Sequence, residues 1–238
     1  MDLSVVIPIY NESENIEHLI EETYQALIGI DYEIVVVDDS STDNTLDLLK
    51  RLKKTYRELR VILHEKNYGQ SSAIQTGARF ANANIIATMD GDGQNDPADI
   101  PALFEQYIKL EKKHGEVVIA GFRVKRCDTF LKRISSRYAN KLRSYILKDN
   151  VPDTGCGLKI FNRQSFLALP FFDHYHRYLP ALFINNGAKI FSFKVNHRLR
   201  TKGYSKYGFH NRFWVGITDL LGVRWLQKRS KNITAKEK

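Results

Sequence analysis

A chain of 238 residues, 43% of them hydrophobic, is long enough for one sizeable core and too mixed in composition for a disordered or fibrous protein. Two cysteines, Cys127 and Cys156, lack metal-ligand spacing and are too few for a disulfide framework, so both are expected as reduced thiols. The net charge of +9 is unevenly spread: residues 1–119 hold 11 Lys/Arg against 21 Asp/Glu, a net of −10, and the remainder carries +19. That asymmetry predicts a polyanionic partner for the second half. The first residues lack the charged start and cleavage site of a signal peptide, and no stretch reaches the ~18 apolar residues of a membrane span.

In chain order, Ser4–Ile9 reads as a first strand, followed by a helix to about Ile28 with Ser13 or Asn15 as its cap. Glu33–Asp38 is a second strand, too uniformly apolar to be half-exposed. A helix to about Tyr56, a strand at Arg60–His64, a helix at Ser71–Ala81 and a fourth strand at Ile85–Met89 follow. Asp99–Lys113 reads as a helix and Val117–Gly121 as a fifth strand. The alternation predicts an open, doubly wound α/β sheet, whose ligands lie beyond the carboxyl ends of the strands. Neither a G-x-G-x-x-G turn after the first strand nor a P-loop is present, which argues against a dinucleotide enzyme or a P-loop nucleotidase.

The second half is less regular. Thr129–Leu147 reads as a basic helix interleaved with apolar residues, Leu158–Phe161 as a short strand and His176–Asn185 as a helix. Lys189–Val195 alternates as a half-exposed strand should, Phe209–Leu226 reads as an aromatic-bearing helix, and Lys231–Lys238 as a tail.

Asp90-Gly91-Asp92-Gly93-Gln94 carries the clearest chemistry. Two carboxylates two residues apart, in a turn closing an apolar strand, suit Mg²⁺ or Mn²⁺ bridged to substrate phosphates. Of the seven histidines, His174, His176, His197 and His210 share no helical metal-ligand spacing and are expected to be structural or exposed.

Val6–Glu12, Val36–Asp43 and Met89–Pro97, in this order and spacing, resemble the inverting family 2 glycosyltransferases of GT-A fold. Gly121-Phe122-Arg123, Asp153–Gly157, and Arg200 followed by Gly203–Lys206 are similar to the polyprenyl-phosphate, dolichyl-phosphate mannose synthase-like branch. The resemblance implies a Rossmann-like, mostly parallel GT-A domain over residues 1–207, with a basic acceptor side, and a C-terminal amphipathic helix and tail over 208–238. It implies a nucleotide-sugar pocket at Pro8, Tyr10, Glu12, Val37, Asp39 and Asp90, with a metal held by Asp92 and Gln94. Gly91 and Gly93 stand where the branch has bulkier residues, and side-chain room is expected to be left unfilled there. Arg200 and Lys206 are expected to reach the diphosphate, and Arg123, Lys132, Ser136 and Arg137 the acceptor phosphate. Asp153 is placed as a base or acceptor-orienting carboxylate. The implied reaction is hexose transfer with inversion from GDP-mannose or a UDP-sugar to a polyprenyl phosphate, on the cytoplasmic leaflet of a membrane with an anionic surface. A polysaccharide or lipopolysaccharide hydroxyl acceptor, and a non-catalytic nucleotide-binding module, are the alternatives. Nucleic acid is not an expected partner, because no recognition motif accompanies the basic half.

Overall fold

The computed structural model describes residues 1–123, 143–198 and 209–230, with the backbone alone for 209–215. The strands are β1 Leu3–Ile9, β2 Tyr32–Asp38, β3 Leu59–Leu63, β4 Ile85–Thr88, β5 Val117–Arg123, β6 Lys159–Asn162 and β7 Lys189–Val195. The labelled helices are α1 Ile16–Ala26, α2 Thr45–Thr55, α3 Gln70–Phe80, α4 Ile100–His114, α5 Arg163–Leu167, α6 Leu179–Asn185 and α7 Phe209–Arg229. Residues 143–147 are also helical, and short 3-10 turns at Pro97–Asp99 and Tyr175–Arg177 precede α4 and α6.

All strands join one seven-stranded sheet in the order β3-β2-β1-β4-β6-β5-β7. Every pairing is parallel except those of β6, which runs antiparallel to both β4 and β5. Every residue of β1 and β2 is buried, because helices cover both faces and the β-branched runs meet a wall on either side. One face holds Val5, Ile7, Ile34 and Val36 under α1, α2 and α4; the other holds Val6, Val35 and Val37 under α3. Each fully buried Val or Ile contributes roughly 1.5–3 kcal/mol. Gly77 of α3 brings that helix against β1: a Cβ there would overlap the Val6 side chain.

Ser4 and Glu33, two polar residues of the core strands, are satisfied together. Glu33 accepts from Ser4 Oγ at 2.6 Å, Asn82 N at 2.5 Å and Arg60 Nη1 at 2.5 Å, which ties β1, β2, β3 and the end of α3 into one buried network. Pro8 is tolerated in a central strand for a geometric reason. Val6 O accepts from Met89 N at 3.1 Å, so alternate residues of β1 face β4, and the pairing with β4 ends at Val6–Thr88. The missing N–H of Pro8 therefore falls where no rung remains to be made.

The first helix starts differently from the expectation. Asn15 occupies the cap position, yet its side chain makes no cap bond and donates instead to Glu12 Oε2 at 2.8 Å. Helix α7 packs on the body through buried Val223; Tyr178 Oη donates to Gly216 O at 3.0 Å and Gln227 Nε2 to Leu147 O at 2.9 Å. Leu221 and Trp225 stay exposed on it. No helix among the described residues is long and apolar enough to cross a membrane.

Candidate active site

The strand order changes direction between β1 and β4, and the crevice at their carboxyl ends is where such sheets bind ligands. Because β6 is antiparallel, its entry lies at that same edge. Residues 153–158, which lead into β6, therefore come down beside Asp90 at the end of β4 and Arg123 at the end of β5. A cavity of about 450 Å³ opens there, lined by Pro8, Gln70, Asp90, Gly157, Lys159 and His176 among others.

Asp90 forms the floor. Its Oδ1 accepts from Gln70 Nε2 at 2.8 Å, and Gly157 is in direct contact with its carboxylate, leaving no space for a Cβ. Burial first, then repulsion from Asp92, pushes the Asp90 carboxyl up to about 6; the charges of Lys159 and Arg123 oppose the rise. Lys159 sits in the central strand β6, buried, and donates to Cys156 O and, at 3.4 Å, to Thr154 O. Burial lowers its pKa, with Cys156 and Asp90 pulling the other way. The Cys156 thiol is buried and unoxidised, its pKa raised by burial; Cys127 lies outside the described residues.

Asp92 lies in the turn itself, its Oδ1 accepting from Gln94 N at 3.1 Å. The expectation of unfilled room beside it fails at Gly91, where a Cβ would stand 2.5 Å from Ile9 Cγ2 and 3.0 Å from Pro8 O. Glycine is needed at 91 so that the turn can lie against the end of β1. Gly93 has open space, and its φ of +74° is the reason for glycine there. On the far side of the turn, Arg198 N donates to Gln94 O at 3.0 Å and His197 bridges to Asn95. His197 Nδ1 is buried without a hydrogen-bond partner, and burial lowers its pKa.

The expected nucleotide residues gather at the β1–β2 side. Tyr10 and Glu12 follow β1, and Glu12 N donates to Thr45 Oγ1 at 2.9 Å. The left-handed turns at Asn11 and Ser40 lock together: Asn11 Oδ1 accepts from Thr42 N at 2.6 Å. Asp39 is already engaged, its Oδ1 accepting from His64 Nδ1 at 2.6 Å and Tyr68 N at 2.8 Å, and its Oδ2 from Gly69 N at 2.7 Å. One lone pair of Oδ2 remains for a base. Val37 is fully buried and packs beneath Gly77, so its side chain belongs to the core and is not brought to the cleft.

Arg123 and Asp153, expected to serve acceptor binding and catalysis separately, form one ion pair. Arg123 Nε meets Asp153 Oδ2 at 2.6 Å and Nη2 meets Oδ1 at 2.9 Å. A carboxylate whose two oxygens both bind one guanidinium is poorly placed to take a proton. Lys132, Ser136, Arg137, Arg200 and Lys206 lie outside the described residues.

Gln70, Lys159 and Arg177 were not among the expected site residues, and His176 was expected only to be structural or exposed. A lysine inside the apolar run Leu158–Phe161 was the visible signal for Lys159. His176 lines the cavity with its Nδ1 at 2.7 Å from Ser71 Oγ, which no spacing along the chain reveals.

The sequence model of Glycosyl transferase family 2 matches residues 4–169. The chain belongs to that family. This glycosyltransferase is 36% identical over 234 residues to dodecaprenyl-phosphate galacturonate synthase of Rhizobium johnstonii, across 96% of its own length and 68% of the relative's. It is 33% identical over 210 residues to undecaprenyl-phosphate 4-deoxy-4-formamido-L-arabinose transferase of an Enterobacter species, of which it spans 63%. Its fold matches glucosyl-3-phosphoglycerate synthase from Mycobacterium tuberculosis, crystallised with Mn²⁺, UDP and glucosyl-3-phosphoglycerate. There the TM-score is 0.67 at 18% identity, over 95% of this chain and 79% of that one. The mostly parallel sheet and these neighbours make it a GT-A glycosyltransferase.

Proposed function

We propose that the glycosyltransferase moves a hexose from a nucleoside-diphosphate sugar to a polyprenyl phosphate, with inversion, at a membrane surface. The observation that carries this reading is the cavity itself: Asp90, which opens the acidic turn, lines it together with the cationic side chains of Arg143, Lys159 and Arg177. Two relatives named as polyprenyl-phosphate sugar transferases support the acceptor class. The pairing of Asp153 with Arg123 supports it further. A hydroxyl acceptor needs a base, whereas a phosphate arrives already ionised at neutral pH and needs none.

A divalent cation fits the turn. Asp92 offers hard carboxylate oxygen, and His197 Nδ1 is a buried, unpartnered ligand atom beside Gln94. Among the described residues no three His, Cys, Asp or Glu side chains form a ready cage, so donor phosphates would complete the shell. Asp92, Gln94 and His197 would hold Mg²⁺ or Mn²⁺, which when bound supplies neutralising charge to the leaving diphosphate. Tyr10, Glu12 and Asp39 would take the nucleoside, and Asp90, oriented by Gln70, the ribose and sugar end. Arg200 and Lys206 would complete the diphosphate site, and Arg123, Lys132, Ser136 and Arg137 the acceptor's. The catalytic body would run to about residue 207, with α7 as its appendage. Trp225 and Leu221, exposed on α7 among Arg224, Lys228 and Arg229, support contact with an anionic leaflet from the cytoplasmic side.

Labelled nucleotide sugars incubated with a short polyprenyl phosphate and Mn²⁺ test the reading. An organic-soluble labelled product is expected, abolished in Asp92→Ala together with metal-dependent donor binding. No such product from any common donor, or undiminished turnover in that variant, overturns it.

A further inference from the structure

The cavity walls carry more N–H donors than their own partners accept. Of the cations around the cavity, Arg143 is matched by Asp149, with Nη1 to Oδ2 at 2.5 Å and Nη2 to Val151 O at 3.0 Å. Arg123, at the rim, is matched by Asp153. Two cations lining the cavity are left. Lys159 has two carbonyls for three N–H donors, and the carboxylates of Asp90 and Asp153 lie near enough to favour its charge. Arg177, half-buried at the cavity wall, makes no side-chain hydrogen bond or ion pair among the described residues, although its charge is felt by Asp219. Between them stands His176, whose imidazole stays neutral because burial, then the charges of Arg177 and Lys159, disfavour its protonation. Buried charge is ordinarily paired. A wall with a spare guanidinium and a spare ammonium N–H, in a cavity of about 450 Å³, is therefore complementary to an oxyanion delivered by the ligand.

We infer that Lys159 and Arg177, flanking His176, form an oxyanion subsite inside the cavity, separate from the Asp92–Gln94 turn. It takes either a carboxylate on the transferred sugar, as in a hexuronic acid, or the phosphate of the acceptor. The inference rests on the glycosyl-transfer reading above but is read by binding, so the two fail separately. The subsite would set specificity: an uncharged sugar in contact with it would leave the spare N–H groups of both side chains without a charged acceptor.

The test measures binding calorimetrically, with Mn²⁺, for wild type, Arg177→Gln, Arg177→Lys and Lys159→Met. One series is UDP, UDP-glucose and UDP-glucuronate; the other is farnesyl phosphate against farnesol. Arg177→Gln should bind UDP within twofold of wild type. It should lose tenfold or more either for UDP-glucuronate relative to UDP-glucose, or for farnesyl phosphate relative to farnesol. Arg177→Lys should restore most of that loss. The series that moves identifies the source of the anion. Because Arg177 is only half-buried, its variants should fold even if Lys159→Met does not. A loss in neither series, including the case where neither anion binds the wild type, overturns the inference. So does an equal loss for UDP alone, which would assign the cations to the diphosphate.

Discussion

Replacing Gly157 by alanine adds one methyl group at the point where the 153–158 segment touches the floor of the cavity. The added Cβ would overlap the Asp90 carboxylate, with Oδ1 at 2.6 Å where ordinary contact begins at 3.4 Å. The other carboxylate atoms would be closer still, so the carboxylate must retreat by at least about 0.8 Å, or the segment must lift by the same amount. Asp90 cannot retreat freely: it is partly buried and held by Gln70 at 2.8 Å. Losing that charge-assisted bond costs about 1.5–3 kcal/mol, and overpacking of this kind costs typically 1–3 kcal/mol. A misplacement near 1 Å in a catalytic constellation reduces turnover by up to ~10²-fold. Gly157→Ala should thus lower kcat/KM by about 10–100-fold in a radiolabelled transfer assay, with a fall in Tm of a few degrees. The contrast is Gly222→Ala on α7, where a Cβ meets nothing within 4 Å. Gly157→Ala activity within twofold of wild type, with Tm unchanged, would show that Asp90 and Gly157 are not held together as described.

Gly222→Ala itself should stabilise the protein by ~0.5–1 kcal/mol, because an exposed helical glycine gives up more backbone entropy than alanine; a urea titration reads the shift. Arg198 joins Glu22 at 2.6 Å and Asp96 at 2.7 Å while 35% exposed, so solvent screening limits Arg198→Ala to about 1 kcal/mol, or a Tm lower by roughly 2–4 °C. The effect should shrink in 0.5 M salt, and a salt-independent loss would contradict the ionic account. His176 has its pKa lowered well below 6.5 by burial, so the unfolded chain binds the proton first as pH falls. Its contribution is therefore constant above about pH 7 and is lost progressively below about 6.5, by at most ~1.4 kcal/mol per pH unit. Asp90, raised to about 6, has the opposite sign between about pH 4 and 6, which is why the comparison is made between wild type and His176→Gln. The variant should lose less stability from pH 7.5 to 5.5, and equal losses would refute a buried neutral imidazole.

Strands β1, β2 and β5 were legible because β-branched apolar runs of that length have few other ways to be buried. Their carboxyl-edge motifs were legible with them, since a doubly wound sheet puts every such edge on one side. The direction of β6 was not: periodicity identifies a strand and is silent about its orientation. Helix α5 was missed because Arg163–Leu167 is too short to show a helical period, although its cap, Asn162, accepts from Gln164 N at 2.9 Å and Ser165 N at 3.1 Å. Asp39 was read only as an acceptor for a base, and its bonds from His64, Tyr68 and Gly69, 25 to 30 residues away, were not foreseen. Long-range pairing of that kind leaves no trace in local spacing. The same holds for Arg123 and Asp153, each sensible alone at its strand end and joined only by the fold.

The antiparallel insertion of β6 explains why the site has this composition. In a wholly parallel sheet each strand delivers to the carboxyl edge only the residues that follow it. A reversed strand delivers the residues that precede it, so the 153–158 turn arrives at that edge beside Asp90, with Gly157 against its carboxylate. Its backbone carbonyls then point into a space already closed by β4 and β5, and they need a donor. Lys159, the first residue of β6, supplies one to Thr154 O and Cys156 O. Thr88 Oγ1 supplies another to Gly157 O at 2.7 Å. The topology thus demands a buried cation near an acidic turn, for structural reasons, before any ligand is considered. Satisfying the carbonyls leaves that ammonium with an N–H to spare at the cavity wall, and in this way a requirement of folding becomes a feature a substrate can use.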